Sequence, residues 1–366
     1  MIKFWDYKIF YKDNKKKILN LFDKTLLSGK LILGNEVEKF ERNFSKYIGV
    51  KYAVAVGNCT DAIFIALKVL NLKKGSEVIT VSNTAVPTIA AIINAGLKPV
   101  FVDINDFYLM DENKIQSMIT KKTKVILPVH LYGQVCNMNK INLIAKKFNL
   151  KVIEDCAQAT GAANGFKKAG SFGLMGCFSF YPTKVLGGFG DGGMITTNNY
   201  RIYEKIKIYR FMGINNNKLP GYAKTDGINS RMDDIQSSIL NFKLKSIEIL
   251  IKKRNEIAKF YQRNLDNKKF NLPKVAKNNS HVYYEYVLNI SNRDKLIKYA
   301  KKFNLELKIT YPFMNHKMKK FKKFKKFKKG NLIKTNLLEK KIFSLPTYPE
   351  IPMNDLKKIV KVLNSF

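Results

Sequence analysis

Lys184, Asp155 and Thr60 are the residues whose types and positions could carry out chemistry together. Lys184 follows an apolar run and precedes several glycines, while Asp155 ends the apolar run Lys151-Val-Ile-Glu-Asp155. Thr60 opens a stretch with helical spacing, and the N-terminus of a helix binds phosphate. A lysine for a Schiff base, an aspartate for a pyridinium nitrogen and a phosphate-binding group are what pyridoxal phosphate chemistry requires. We therefore predict a pyridoxal phosphate site.

Short apolar runs alternate with helical patterns through the first part of the chain, which predicts an α/β fold with a mostly parallel sheet. The predicted strands are 53–56, 77–81, 99–102, 125–129, 152–153, 177–180 and 194–197. The predicted helices are 60–72, 85–95 and 141–148, after a helical region at 14–46 that is interrupted at Ser28-Gly29-Lys30 and at Gly34. Ligands of such sheets bind at the carboxyl ends of the strands. Thr60, Asp155 and Lys184 each follow a predicted strand, so we expect them to meet there.

The length of 366 residues predicts two domains. We place a large α/β domain at 1–240 and a smaller α+β domain at 241–366, with the extreme N-terminus free to pack on the smaller one. The second domain should contain a strand at 283–290, a helix at 296–303, a strand at 305–309 and a C-terminal helix from Asp355.

The net charge of +38, with an isoelectric point near 9.9, could attract nucleic acid or anionic lipid. The lysines are spread along the whole chain, and Asn, Ile, Phe and Tyr are abundant as well. We interpret the charge as a compositional bias, because charge alone identifies no partner. We expect no nucleic-acid function.

Other features of the composition predict a cytoplasmic protein. No run of about 20 uncharged apolar residues would span a membrane. The N-terminus lacks the basic, apolar and small-residue regions of a signal peptide. The cysteines Cys59, Cys136, Cys156 and Cys177 have no CxxC spacing and are expected to be reduced thiols.

Two other kinds of site are disfavoured. Gly188-Phe-Gly-Asp-Gly-Gly193 formally matches the dinucleotide pattern GxGxxG, but a predicted strand follows it where that pattern needs a helix. These glycines are better explained by a backbone that bends beside Lys184. His130, His281 and His316 have no metal-ligand spacing, so no metal site is expected.

Residues 317–329 carry nine lysines and three phenylalanines in a Phe-Lys-Lys repeat. The repeat could form an anionic-surface patch. We favour a solvated helix or loop whose phenylalanines touch the small domain, because a period of three residues makes no straight apolar stripe on a helix.

Several motifs occur in an order that resembles one family. They are Gly57-Asn-Cys-Thr-Asp-Ala62, Val152-Ile-Glu-Asp-Cys-Ala-Gln-Ala159, Phe178-Ser-Phe-Tyr-Pro-Thr-Lys184 with Gly190-Asp-Gly-Gly193, and Gly227-Ile-Asn-Ser-Arg-Met-Asp233 with Gln236. With Ser28-Gly-Lys-Leu-Ile-Leu-Gly34 and Ser344-Leu-Pro346 they cover nearly the whole chain. The chain resembles the DegT/DnrJ/EryC1/StrS family of nucleotide-sugar aminotransferases. The resemblance implies a fold-type I pyridoxal-phosphate-dependent transferase, with a mostly parallel central sheet and a smaller α+β C-terminal domain.

The resemblance also implies roles for individual residues. Lys184 would form the Schiff base, Asp155 would pair with the pyridinium nitrogen, and Gln158 would lie near the ring hydroxyl of the cofactor. The phosphate contacts would come from Cys59, Thr60 and Ser179. Cys59 stands where the family usually has glycine, so only its backbone N–H is carried over. Ala85 stands where the family often has an aromatic residue that stacks on the ring.

Further implied roles concern the partner subunit and the substrate. Asn229 would reach the phosphate of the partner's cofactor, so the active unit would be a homodimer with shared sites. Tyr181 and Tyr311 are the substrate-side candidates.

The implied reaction moves an amino group from an amino acid donor, by resemblance L-glutamate, to a ketosugar attached to a nucleoside diphosphate. The form of Leu186-Gly-Gly-Phe-Gly-Asp-Gly-Gly193 resembles enzymes that act on 3-keto sugars, which predicts a 3-keto-6-deoxy sugar of the dTDP type. The alternatives are a 4-keto sugar aminotransferase and a non-catalytic regulator or sensor on the same fold. A dehydratase of the same family is disfavoured, because such members carry histidine where this chain has Lys184.

Overall fold

The computed structural model describes residues 1–215, 221–321 and 332–366. Its helices and strands largely alternate between residues 52 and 155, as predicted. In chain order they are α1 (Tyr7–Leu27), α2 (Asn35–Ile48), β1 (Tyr52–Val56), α3 (Cys59–Lys68), β2 (Glu77–Val81), α4 (Val86–Asn94), β3 (Lys98–Val102), β4 (Thr123–Ile126), α5 (Met138–Lys147), β5 (Lys151–Asp155), β6 (Ala163–Asn164), β7 (Lys167–Lys168), β8 (Met175–Ser179), β9 (Gly193–Thr197), α6 (Tyr200–Arg210), α7 (Asp234–Leu244), α8 (Ile247–Asn264), β10 (Tyr286–Asn289), α9 (Arg293–Lys302), α10 (Ile333–Leu338), β11 (Ile342–Leu345) and α11 (Met353–Asn364).

A central sheet of seven described strands has the order β1-β9-β8-β5-β4-β2-β3. The pairs β8–β5, β5–β4, β4–β2 and β2–β3 are parallel, while β9 runs antiparallel to both of its neighbours. The prediction of a mostly parallel sheet is confirmed. The carboxyl ends of β1, β5 and β8 and the amino end of β9 therefore lie at one edge of the sheet.

Local signals explain where the elements nearest this edge begin. Asn58 is the N-cap of α3, and its side-chain oxygen accepts a hydrogen bond from the N–H of Asp61 at 2.9 Å. Gly34 precedes α2 and donates its N–H to the carboxylate of Asp234 at 2.7 Å. A Cβ at Gly34 would lie only 2.8 Å from that carboxylate, so the close approach requires glycine.

Two hydrophobic clusters lie along the chain. The first surrounds the seven-stranded sheet, and the second gathers residues after α7 together with Ile2 from the N-terminus. Ile2 pairs with Leu305 as an isolated parallel bridge. The predicted boundary between residues 240 and 241 falls inside α7, and the division into domains stays a prediction.

Some sequence-based boundaries were wrong. The predicted strand at 305–309 is not a strand, because Leu305 and Lys308 make only isolated bridges to Ile2 and Ser344. The strand predicted at 125–129 ends at Ile126, two residues before Pro128, which lacks the N–H needed to continue a ladder. The helix predicted to reach Leu72 ends at Lys68.

The Phe-Lys-Lys repeat lies largely outside the described residues, from 322 onward. Its first phenylalanine, Phe321, is buried with 6% of its surface exposed. Among the described parts of the chain, no helix is both long and apolar enough to cross a bilayer.

Candidate active site

The register of three adjacent strands builds the floor of the site. Gly193, at the amino end of β9, pairs with Val56 at the carboxyl end of β1 and with Ser179 at the carboxyl end of β8. On the next strand, Asp155 pairs with Cys177, two residues before Ser179. One edge of the sheet therefore carries Asp155, Ser179 and the start of α3 side by side.

The N-terminus of α3 offers backbone donors at this edge. The Asn58 side chain satisfies the N–H of Asp61, while the first N–H groups of the helix, those of Cys59 and Thr60, have no acceptor within the helix. Gly193 closes against this turn, since a Cβ there would lie 2.5 Å from the Asn58 carbonyl and 2.9 Å from the Cys59 nitrogen. Free N–H groups at a helix N-terminus are suited to phosphate.

Asp155 is a buried carboxyl with 3% of its surface exposed. The hydroxyl of Thr88 donates to one of its oxygens at 2.8 Å, and the N–H of Ala157 donates to the other at 3.1 Å. Burial raises the pKa of Asp155, while these two hydrogen bonds and the positive charge of Lys184 lower it. A carboxylate held in this way is ready to accept a hydrogen bond from a cationic ring nitrogen, which would compensate its burial.

Lys184 lies on a turn closed by its own N–H, which donates to the Tyr181 carbonyl at 2.8 Å. Its Nζ is 3.5 Å from the Tyr284 hydroxyl and 4.5 Å from the centroid of the Tyr284 ring. The same hydroxyl is 3.4 Å from the Thr183 Oγ1. Tyr284 therefore limits where the lysine amine can go.

Gln158 connects the site to the segment around Tyr311, later in the chain. Its Oε1 accepts from the N–H of Tyr132 at 2.7 Å, and its Nε2 donates to the Tyr311 hydroxyl at 2.8 Å. The Tyr132 hydroxyl in turn donates to the Thr310 carbonyl at 2.6 Å. These contacts place the substrate-side candidate Tyr311 beside a predicted cofactor contact.

Cys59 lies against the same centre without being a reactive thiol. Burial raises its pKa well above the usual range, the negative charge of Asp155 raises it further, and Lys184 acts in the opposite direction. The charges of Asp155 and Lys184 thus both act on the start of α3, where Cys59 lies. The side chain stays protonated, and the backbone N–H is the group that remains for binding.

Of the two remaining predicted residues, Asn229 makes its described hydrogen bond outside this cluster, whereas Tyr181 lies on the Lys184 turn. Asn229 is exposed, and its side-chain oxygen accepts from the Nε of Arg231 at 2.8 Å. Tyr181 is half exposed, with its N–H 3.4 Å from the Ser179 hydroxyl oxygen. Ser179 itself is buried at the edge described above.

Sequence reasoning missed the partners of the two central residues. Thr88 supports Asp155 from α4, and Tyr284 contacts Lys184 from a segment 100 positions away. The only sequence signal at Tyr284 was its place in a strand-like aromatic run, which indicates packing. Its role as a neighbour of Lys184 depends on how the two parts of the chain fold together.

His130, Glu154 and Cys156 form a buried group whose ligand-type atoms lie within 4.8 Å of one another. Most of these atoms already have partners. His130 Nε2 is 2.9 Å from Glu154, and Glu154 also accepts backbone N–H groups of Gly170, Phe172 and Gly173. The group anchors the loop before β8, and the absence of a metal site stays a prediction.

The residues at the sheet edge are chemically suited to pyridoxal phosphate. The α3 N-terminus and Ser179 offer donors for a phosphate, the buried Asp155 offers an acceptor for a ring nitrogen, and Lys184 offers a primary amine for an aldehyde. Gly193 leaves a space beside the first turn of α3, which the Cβ of any other residue would fill. The donor set and the cradle thus both match the predicted cofactor.

Comparison with known proteins gives the same result. The family model described as "DegT/DnrJ/EryC1/StrS aminotransferase family" matches residues 12–364. A dTDP-3-amino-3,4,6-trideoxy-alpha-D-glucose transaminase of Micromonospora megalomicea subsp. nigra is 38% identical, over 98% of this chain and 97% of the relative. A dTDP-3-amino-3,6-dideoxy-alpha-D-galactopyranose transaminase of Aneurinibacillus thermoaerophilus is 39% identical, over 100% of this chain and 99% of the relative.

A solved aminotransferase from Brucella abortus, itself described by the same family name, superimposes with a TM-score of 0.95 and 30% identity, covering 100% of this chain and 99% of that one. Aminotransferases of the family depend on pyridoxal phosphate. The predictions of the fold, of a sugar aminotransferase and of this cofactor are confirmed. The chain belongs to the DegT/DnrJ/EryC1/StrS aminotransferase family.

Proposed function

We propose that this enzyme transfers an amino group from L-glutamate to a ketosugar attached to a nucleoside diphosphate. The observation that carries the proposal is the grouping of Lys184, Asp155 and the α3 N-terminus at one edge of the sheet. The similarity to transaminases of dTDP-linked amino sugars supports the substrate class.

The residues of this chain have distinct roles in the proposed reaction. Pyridoxal phosphate, when bound, supplies an electron sink at the carbon that gains or loses the amino group. Lys184 would hold the cofactor through its Nζ, and this amine, once free, would be the general base that takes the proton from the α-carbon of the donor. Asp155 would accept a hydrogen bond from the protonated ring nitrogen and keep the proton there. The buried surroundings of Asp155 strengthen this interaction, because few water dipoles screen it.

The finer proposal is a 3-keto-6-deoxy sugar of the dTDP type. It rests on the glycine pattern between Leu186 and Gly193 and on two relatives that are named as transaminases of dTDP-linked 3-amino sugars. A 4-keto sugar is the alternative substrate. Assays with dTDP-linked 3-keto and 4-keto sugars separate the two, since a higher kcat/KM for the 4-keto sugar would overturn the finer proposal.

The half-reaction with the donor tests the proposed activity. We expect purified protein with pyridoxal phosphate to show the absorbance band of the lysine-bound cofactor. Addition of L-glutamate should convert it to the band of the amine form, with release of 2-oxoglutarate, because the amino group passes to the cofactor before any sugar is present. D-glutamate is the control, since it presents its α-hydrogen differently. A band that L-glutamate leaves unchanged would contradict a glutamate-dependent aminotransferase and would favour a regulator or sensor.

We further propose a homodimer in which Asn229 of each subunit completes the site of the other. Asn229 is exposed in the single chain, which is the condition for reaching a second subunit. Lys184→Ala and Asn229→Ala are each expected to have little activity. In a random mixture, half of the dimers would be mixed and each would contain one intact site, so about a quarter of wild-type activity should return.

The mixing experiment needs subunit exchange, which two different affinity tags can verify. The control is a mixture of Lys184→Ala with Asp155→Asn, two residues of the same subunit's site, which restores no intact site. If the mixture with Asn229→Ala stays as inactive as this control, the sites are not shared through Asn229.

A cytoplasmic location is the last element of the proposal. It is supported by the four cysteines, which are buried and unpaired as thiols, the state that a reducing compartment maintains.

A further inference from the structure

Lys243, near the end of α7, is a buried lysine with 7% of its surface exposed. Lysine is rarely buried without an ionic partner. Among the described residues, no carboxylate lies within ion-pair distance of its amine. Its Nζ instead donates to the carbonyl of Gly187 at 2.6 Å. A charge kept in such a place needs an explanation other than stability.

Gly187 belongs to the turn that carries Lys184. The turn is closed by hydrogen bonds from the Lys184 N–H to the Tyr181 carbonyl and from the Gly188 N–H to the Phe180 carbonyl, at 2.8 and 2.7 Å. A Cβ at Gly187 would lie 2.2 Å from the Pro182 carbonyl oxygen, so the turn packs tightly on itself. A hydrogen bond that fixes the Gly187 carbonyl therefore also restricts the backbone three residues from Lys184.

Helix α7 holds this turn at a second point. Gln236 accepts a hydrogen bond from the N–H of Phe189 at 2.9 Å. Gln236 and Lys243 lie two helical turns apart and therefore on one face of α7. Two side chains of α7 therefore contact residues 187–189, close to Lys184 in the chain.

Aromatic rings and a small cavity surround the amine of Lys243. The rings of Phe10 and Tyr7 lie 4.6 and 5.9 Å from its Nζ. Lys184, Lys243, Arg254 and Glu350 line a small cavity of about 30 Å³, room for a water molecule. Burial lowers the pKa of Lys243 to about 8, the negative charge of Glu350 raises it, and the positive charge of Arg254 lowers it further.

We propose that Lys243 is a positioning residue that holds the Gly187 carbonyl and thereby fixes the turn from which Lys184 reaches the cofactor. The proposal rests on the assignment of Lys184 as the cofactor-binding lysine. The buried cation costs folding free energy while it orders the turn that carries Lys184. Its removal should therefore lower activity without lowering stability.

The pH dependence of stability has a definite sign. The folded-state pKa of Lys243, about 8, lies below its ordinary value of 10.5. Between these values the unfolded chain binds more protons than the folded one, so this group makes the protein more stable as pH rises through the window. Lys243→Met should lose that gain, and its thermal midpoint at pH 7 should equal or exceed that of wild type.

The test compares Lys243→Met, Lys243→Arg and Lys245→Met in the holoenzyme. Lys245 is an exposed lysine near the end of the same helix and serves as the matched control. We expect Lys243→Met to lower kcat about tenfold or more, the value of a lost hydrogen bond to a charged group, with KM for the donor changed less. Borohydride trapping should show slower attachment of the cofactor to Lys184. Lys243→Arg, which keeps a charged donor, should recover part of kcat and extend activity to higher pH.

Two results would overturn the proposal. One is wild-type kcat and trapping in Lys243→Met. The other is a loss of kcat that follows a fall in thermal midpoint and that Arg does not recover, which would mean a structural role alone. A different result would contradict the proposed function itself: borohydride would then attach no cofactor to Lys184 in the wild-type protein.

Discussion

Replacement of Lys184 by alanine should abolish turnover and the covalent attachment of the cofactor. The variant lacks the only amine that the structure places beside both Asp155 and Tyr284 among the described residues. We expect kcat to fall by about 10³-fold or more, because loss of a positioned acid–base group alone costs 10² to 10⁴. Borohydride reduction followed by peptide mass spectrometry should find the cofactor on the peptide containing Lys184 in wild type and on no peptide of the variant.

The control for this experiment is Lys151→Ala, an exposed lysine at the amino end of the strand that ends in Asp155. It removes the same charge from the opposite edge of the sheet and should keep wild-type activity and labelling. Retention of the cofactor label on another lysine in Lys184→Ala, with substantial turnover, would show that Lys184 is not the catalytic lysine.

The Asp155→Asn variant should lose about 10²- to 10³-fold in kcat, the usual effect of removing one electrostatic contact to the reacting group. Asparagine has the shape of aspartate but no charge to hold a proton on the ring nitrogen. Folding of the cofactor-free protein should be little affected. Burial raises the pKa of Asp155, so its buried negative charge is costly until the cationic ring nitrogen is bound. Thr88 can turn its hydroxyl to accept from the new amide while it donates to Thr84, which lies 2.9 Å away.

Asp191→Asn is the matched control, since Asp191 is an exposed carboxylate in the glycine-rich segment that follows Lys184. Circular dichroism should give similar thermal midpoints for both variants in the absence of cofactor. The assignment would be contradicted by an Asp155→Asn enzyme with near wild-type kcat, or by one whose loss of activity is matched by unfolding.

The order of the elements could be predicted because each strand of the sheet carries its own local signal. The all-buried strand Glu77–Val81 is a short run rich in β-branched residues, and Asn58 caps the helix that follows β1. Where the local signal was ambiguous, the prediction failed. Residues 305–309 have an apolar pattern, yet their backbone finds only isolated partners and forms no strand.

Neighbouring carboxylates show the limit of local patterns at the site. Glu154 and Asp155 follow each other on β5, and alternation along a strand sends them to opposite faces. Glu154 anchors the loop around Phe172, while Asp155 accepts from Thr88 and is influenced by the positive charge of Lys184. The sequence indicated Asp155 as the aspartate that ends the apolar run, and the structure adds that the neighbouring Glu154 is occupied by other partners.

The sequence by itself determined the family, the cofactor and the order of the elements, because these follow from local motifs and short-range periodicity. Only the tertiary structure decided which distant groups complete the site. Tyr284 reaches Lys184 across 100 positions, Tyr311 reaches Gln158 across 153, and Lys243 holds Gly187 across 56. These contacts depend on strand order and on the docking of later segments against the sheet. No local pattern records such a contact, because each partner alone looks like an ordinary aromatic or basic residue.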